Sequence, residues 1–148
     1  MDSVENRLRI SLLLLRIGVF IVMIFWSLDK LLFPDHAAGV FETFYFIPGI
    51  GEGTLAVIAV AQILLEIGFV AGLFKTLTYG YVLVAHLIST LSSWPAYLEP
   101  FDNLLFFAAW PMLAACIVLF LLRDQDTLWA AGELRRGGSR EEPREVGV

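Results

Sequence analysis

The amino-acid sequence predicts an all-α integral membrane protein: a compact bundle of four transmembrane helices with both termini in the cytoplasm. Three observations lead there. Of the 148 residues, 58% are hydrophobic and 17% charged, and mean hydropathy is +0.76, far more apolar than an average soluble domain. The charges crowd into the two ends and a few short breaks. Between those breaks lie stretches of about 20 apolar residues, enough to cross a hydrocarbon layer of roughly 30 Å at ~1.5 Å per residue.

The first stretch covers about 10–33 and stops at Pro34; the second covers about 54–74 and follows a Pro48-Gly49-Ile50-Gly51 turn signal. Lys75 marks the next break. The third covers about 77–94, before Pro95, and the fourth about 103–122, ending at Arg123-Asp124. The opening 32 residues superficially resemble a signal peptide. Their apolar part is too long, contains Arg16 and lacks a small-residue cleavage site, so a retained helix is expected. The chain thus divides into a transmembrane domain, 1–123, and a polar cytoplasmic tail, 124–148. Leu128 and Trp129 are expected to anchor at the inner surface and Glu133 to Val148 to be mobile.

Orientation follows from Lys and Arg, which resist translocation. Arg7, Arg9, Lys75, Arg123, Arg135, Arg136, Arg140 and Arg144 fall on one side of a four-pass topology, which is therefore inside; only Lys30, beside Asp29, lies at the outer face. The longer outer connection, 34–53, carries Val40, Phe41, Phe44 and Tyr45 at helical spacing. It is expected to lie in the interface as an aromatic anchor or to cap the bundle mouth.

Several chemistries are excluded. Cys116 is the one cysteine, so neither an internal disulfide nor a CxxC pair can form, and an apolar setting favours packing over thiol reactivity. No P-loop, dinucleotide fingerprint, HExxH or Gly-x-Ser-x-Gly is present. The few basic residues sit where topology explains them, which leaves nucleic-acid binding without support.

Ionisable side chains inside a membrane are costly and mark functional candidates. Here they are Arg16, Glu66 and His86. Counted from the nearest basic end they lie roughly 10, 13 and 16 Å deep on three different helices, so a cluster at common depth is expected. An Arg16–Glu66 bridge would relieve both desolvation penalties, and His86 would complete it. Gln62 shares a helix face with Glu66, while Ser89, Thr90 and Ser93 extend a polar stripe outward from His86. A second reading gives the pair a purely structural role in docking the helices. Gly68 and Gly72 form a small-xxx-small face for close helix contact, and Trp110-Pro111 is expected to kink the fourth helix.

The segments LLRIGVFIVMIFWSLDKLLFP, LLEIGFVAGLFK and YGYVLVAHLISTLSS resemble the DoxX family of small bacterial four-helix membrane proteins, over about Leu8 to Arg123. The strongest points are Arg16, Lys30 and Glu66 in its Glu-x-Gly context. The family's Gly-x-x-Lys reads Ser27-Leu28-Asp29-Lys30 here. The resemblance implies a bacterial inner-membrane location and a role beside a partner, since related DoxD-type proteins are subunits of thiosulfate:quinone oxidoreductase. It also implies similarity of fold to vitamin K epoxide reductase, whose paired cysteines this chain lacks.

Two functions remain in competition. In one, the chain is a membrane subunit, not catalytic alone, that binds a quinone or other lipid-soluble ligand through Arg16, Glu66, His86 and Gln62 and serves a redox partner enzyme. In the other it is an assembly or interaction factor without ligand chemistry. A transporter ranks lowest, as four short helices without an inverted repeat offer little for alternating access. Expected partners are membrane lipids, a membrane protein or redox enzyme and, as an alternative, a second copy of the chain.

Overall fold

The computed structural model describes residues 3–132, and the tail from Glu133 onward lies outside them. Among the described residues the chain is helical, with no strand: α1 (Ser3–Leu32), α2 (Pro34–Tyr45), α3 (Glu52–Val70), α4 (Lys75–Ser92), α5 (Trp94–Tyr97), a 3₁₀ turn (Leu104–Ala108) and α6 (Ala109–Leu121). Three helical stretches, Ser3–Leu32, Glu52–Val70 and Leu104–Leu121, are long and apolar enough to cross a membrane. α4 is of similar length. Its Thr76, Thr78, Tyr79, Tyr81, His86, Ser89 and Thr90 dilute its hydropathy.

α1 packs against α3 and α6, and α4 packs against the same two, so the four long elements form a ring in which α1 and α4 stand diagonally. The centre holds Leu12, Val19, Met23, Phe69, Tyr79, Val82, Cys116 and Leu119. Phe69 and Tyr79 meet edge to face at 4.8 Å. The outer faces are apolar as well: Phe25, Leu64, Leu77 and Leu121 are each more than 60% exposed. A water-facing bundle would place polar residues there, whereas lipid tolerates the pattern.

Element boundaries follow local chemistry. Proline cannot donate a backbone hydrogen bond, so Pro34 closes α1 and opens α2, where its fixed φ suits a first turn. The outer connection is therefore mostly a 12-residue helix, packed on α1, α3 and α4. It ends at Phe46, whose φ of 58° reverses the chain and lets the Ile47 N–H donate to the Phe41 carbonyl at 3.1 Å.

α3 stops at Val70, earlier than its hydropathy suggests, because Gly72 (φ 65°) turns the chain and the Leu73 N–H donates back to the Gly68 carbonyl at 2.8 Å. The small-residue face does bring neighbours close. A Cβ at Gly68 would stand 3.0 Å from Thr78 Cγ2, and one at Gly72 only 2.8 Å from the Ala130 Cβ. The expected fourth helix is divided: Pro111 falls in the first turn of α6 and a 3₁₀ turn precedes it, so the interruption lies at the helix start instead of in its middle.

The nine residues after Arg123 do not leave the bundle. Asp126 is fully buried, Lys75 Nζ donates to its carbonyl at 2.8 Å, and the Ala131 N–H donates to the Ala71 carbonyl at 2.9 Å. Residues 126–131 thus cover the α3–α4 turn. Trp129, with φ 51°, is 80% exposed beside them.

Candidate functional site

The intramembrane polar residues form two groups, and Arg16 does not meet Glu66. Arg16 Nη1 lies 3.2 Å from Asp126 Oδ1 and donates to the Tyr79 hydroxyl at 3.2 Å, while Nη2 donates to the Leu128 carbonyl at 2.6 Å. Tyr79 in turn donates to Asp126 Oδ2 at 2.8 Å. All three side chains are essentially removed from solvent. The network ties α1, α4 and the segment after α6 into one closed corner, with Gly72 directly beneath: a Cβ there would stand 3.1 Å from Arg16 Nη1.

Glu66 is instead held by Ser27, whose hydroxyl donates to Oε1 at 2.6 Å. Ser27 stands eleven residues beyond Arg16 on α1, or about 16 Å along the helix axis. Counting depth from chain ends treated the helices as parallel rods of equal span. In fact the N-terminal part of α1 extends past the C-terminal end of α3, which puts Arg16 level with the α3–α4 turn and Glu66 level with the C-terminal third of α1.

His86 does come to the level of Glu66. Its ring lies 5.8 Å from that of Trp26, the residue before Ser27. His86 Nε2 is 3.0 Å from the Ala109 carbonyl. A carbonyl can only accept, so Nε2 carries the proton, and in the neutral ring Nδ1 is then a bare acceptor. The bond falls beside Trp110-Pro111, where α6 begins, and fastens α4 to that irregular junction. Of the expected polar stripe, Thr90 donates to the His86 carbonyl at 2.8 Å and Ser93 to the Ser89 carbonyl at 2.9 Å, and neighbouring Ser92 donates to the same Ser89 carbonyl at 3.0 Å. These hydroxyls satisfy their own helix.

Glu66, Gln62, Tyr81 and His86 all line one cleft of about 1490 Å³ that runs along α1 and α4. Its inner half is apolar, lined by Leu15, Val19, Leu77, Met112 and Phe120. At its other end it is lined by α2, where Phe41 and Tyr45 pack at 5.1 Å and Phe44 meets Phe106 at 5.5 Å. The aromatic outer segment therefore faces the cleft. At the polar level four buried atoms have no hydrogen-bond partner: Gln62 Oε1, Glu66 Oε2, the Tyr81 hydroxyl and His86 Nδ1. Tyr81 stands close enough to Glu66 and Gln62 for small side-chain movements to join them by hydrogen bonds, and Lys30, near enough to act electrostatically on Glu66, donates from Nζ to the Trp26 carbonyl at 2.8 Å.

Of the sequence-derived candidates, then, Glu66, Gln62 and His86 share a cleft, and Arg16 belongs elsewhere. Tyr81 and Ser27 join the cleft group, and Asp126 and Tyr79 the Arg16 group, without having been singled out. The YGY pattern offers a weak signal for the tyrosines, since two hydroxyls two residues apart cannot both point outward on a helix. Asp126 gave none, being one acid among several in a polar stretch. Among the described residues no three His, Cys, Asp or Glu side chains come together as a metal site. Comparison with family models, curated proteins and solved structures returned no match.

Proposed function

We propose that this chain is a four-pass membrane subunit that holds a quinone or another lipid-soluble molecule with a polar head in the α1–α4 cleft, on behalf of a redox partner enzyme. One observation carries the reading: four buried polar atoms outside hydrogen-bond geometry, Gln62 Oε1, Glu66 Oε2, the Tyr81 hydroxyl and His86 Nδ1, belong to side chains that line one mostly apolar cleft. Buried polar groups are nearly always satisfied, and each one left bare costs about 1–3 kcal/mol. Such a group of atoms is what a ligand head would satisfy, and a mostly apolar pocket with a few convergent polar groups is the usual form of a small-molecule site. Val22, Leu77, Val84 and Ile88 combine membrane-facing exposure with a place in the cleft lining, which suits entry from the bilayer.

In this reading α4 is the fourth span, both termini are cytoplasmic, and the resemblance to DoxX proteins supplies the bacterial inner membrane and the redox partner. Glu66 and His86 orient the head and stand ready to exchange protons with it. Arg16 has no part in binding and locks the cytoplasmic end. The competing reading, an assembly factor, draws on the connection between α4 and α6, where Leu98, Phe101 and Leu105 are 71%, 89% and 90% exposed.

The deciding experiment extracts the full chain with its own lipids and identifies retained small molecules by mass spectrometry. The wild type is expected to retain a quinone or comparable amphiphile, and Glu66→Gln and His86→Phe to lose most of it while remaining folded. A wild-type protein carrying no such molecule, with partner activity indifferent to Glu66→Gln, would overturn the proposal in favour of the assembly factor.

A further inference from the structure

The cleft changes character along its length, and the change runs one way. At the α2 end its lining includes Asp29, Lys30 and His36, with Ser92 and Ser93 across from them on α4. His36 Nδ1 lies 2.9 Å from Asp29 Oδ2, and side-chain exposure falls from 69% at His36 through 29% at Asp29 to the fully buried Glu66. Lys30 joins the two levels. It stands three residues beyond Ser27, on nearly the same face of α1, is half-buried, and acts electrostatically on Glu66.

Toward the other end no such sequence of groups exists. From Ser27 back to Leu15, roughly 18 Å along α1, the cleft is lined on that helix by Leu15, Gly18, Val19, Val22, Met23 and Trp26. Across from them stand Leu77, Gly80 and Phe120, and among the described residues the next polar side chain in the lining beyond Tyr81 is Thr76, at the start of α4. The bundle centre is shut there as well: Val19, Phe69 and Val82 are buried below Glu66, and behind them Tyr79 and Asp126 are engaged with Arg16. The groups that face Glu66 are Ser27 and Lys30 from α1 and Tyr81 from α4, with His86 in the same cleft, His36 of α2 reached through Asp29, and no ionisable side chain in the lining from α6.

Protons pass between polar groups and water, not through packed hydrocarbon, and ionisable residues inside membrane proteins line such routes. Resting on the ligand-binding reading above, we propose that Glu66 exchanges protons with the aqueous phase on the α2 side alone, along the lining at Lys30, Asp29 and His36. The step is a proton transfer only: the Glu66 carboxylate takes a proton from the head group and yields it to water at the α2 end, or carries one inward. A molecule held in the cleft therefore gains or loses its protons at that face of the membrane.

The test uses the full-length wild-type chain in sealed proteoliposomes of one orientation, with the two aqueous phases buffered separately. Dicyclohexylcarbodiimide dissolves in the bilayer and couples to a carboxyl only while it is protonated, so the Glu66 adduct, quantified by peptide mass spectrometry, reports which phase sets its protonation. Raising the pH on the α2 side from about 5 to about 9 should slow labelling at least ~3-fold, and the same change on the side of Arg7 and Arg123 should alter it less than ~1.5-fold. Water access is read separately with Glu66→Cys and Gln62→Cys, each combined with Cys116→Ala. A membrane-impermeant methanethiosulfonate should reach whichever of these folds at least ~10-fold faster from the α2 side, since a charged reagent has no polar passage from the other. Labelling that follows the opposite phase, both phases or neither overturns the one-sided route. The small molecules retained by the same preparation are identified in parallel: their absence removes the ligand and leaves the route standing, and their presence beside a Glu66 open to both sides does the reverse.

Discussion

At the scale of single residues, the two polar groups of the bundle make opposite demands on mutation. Arg16 and Asp126 are a buried ion pair, and removing one partner strands a charge where water cannot reach it. Arg16→Leu and Asp126→Leu should each destabilise by about 3–5 kcal/mol, and the double substitution by clearly less than their sum, measured by unfolding in detergent. Arg16→Leu combined with Glu66→Leu should instead add within about 0.5 kcal/mol, since the two share no partner and stand well beyond coupling range. Strong coupling between Arg16 and Glu66, or none between Arg16 and Asp126, would contradict the network. The sequence made the first half of this legible. A charge inside an apolar run is conspicuous, so Arg16, Glu66 and His86 stood out. Their partners did not, because Asp126 lies 110 positions from Arg16 in a stretch that reads as solvated tail, and nothing local distinguishes it from Asp124.

At the scale of elements, what was readable was apolar length and proline position; what was not was how far helices slide along one another. The apolar stretches were expected in the order in which α1, α3, α4 and α6 occur, with Pro34 and Pro95 at boundaries, because a missing N–H and a fixed φ act locally, whereas the short α5 and the 3₁₀ turn were not foreseen. The end of α3 and the inward reach of α1 depend on tertiary contacts instead. Gly72 holds both: its φ of 65° reverses the chain, and Ala130 stands where a Cβ would go. Gly49 supplies a matched control, with φ 72° and nothing within 4 Å. Gly49→Ala should cost only the strain of a left-handed backbone, about 1–2 kcal/mol. Gly72→Ala should cost clearly more, because the segment carrying Asp126 and Leu128 must also move off Arg16. Equal losses in thermal unfolding would mean that residues 126–131 do not press on this turn.

At the scale of the whole molecule, the open quantity is the number of crossings, and α4 decides it. Three stretches qualify on hydropathy, and α4 falls short partly through Lys75 at its start and partly through polar side chains turned into the bundle: Thr78, Tyr79, His86 and Thr90 are all buried. Apolar length undercounts helices whose polar groups are spent inside a bundle. The side-chain network bears on the count in a second way. Arg16 in the N-terminal half of α1, Lys75 at the start of α4 and Asp126 just after α6 are joined at one end of the ring, which calls for an even number of crossings from the start of α1, itself counted, to the segment after α6. Basic residues crowd to that end, so it is expected to be cytoplasmic. Reporters fused after Leu122 and beside Lys75 should therefore read as cytoplasmic, and one beside Gly39 as external. A three-pass chain would place the Leu122 fusion outside, on the opposite side from Arg7 and Arg9, and would leave Arg16 without its carboxylate. An external reading at Leu122 would thus remove the fourth span and the Arg16–Asp126 lock in a single measurement.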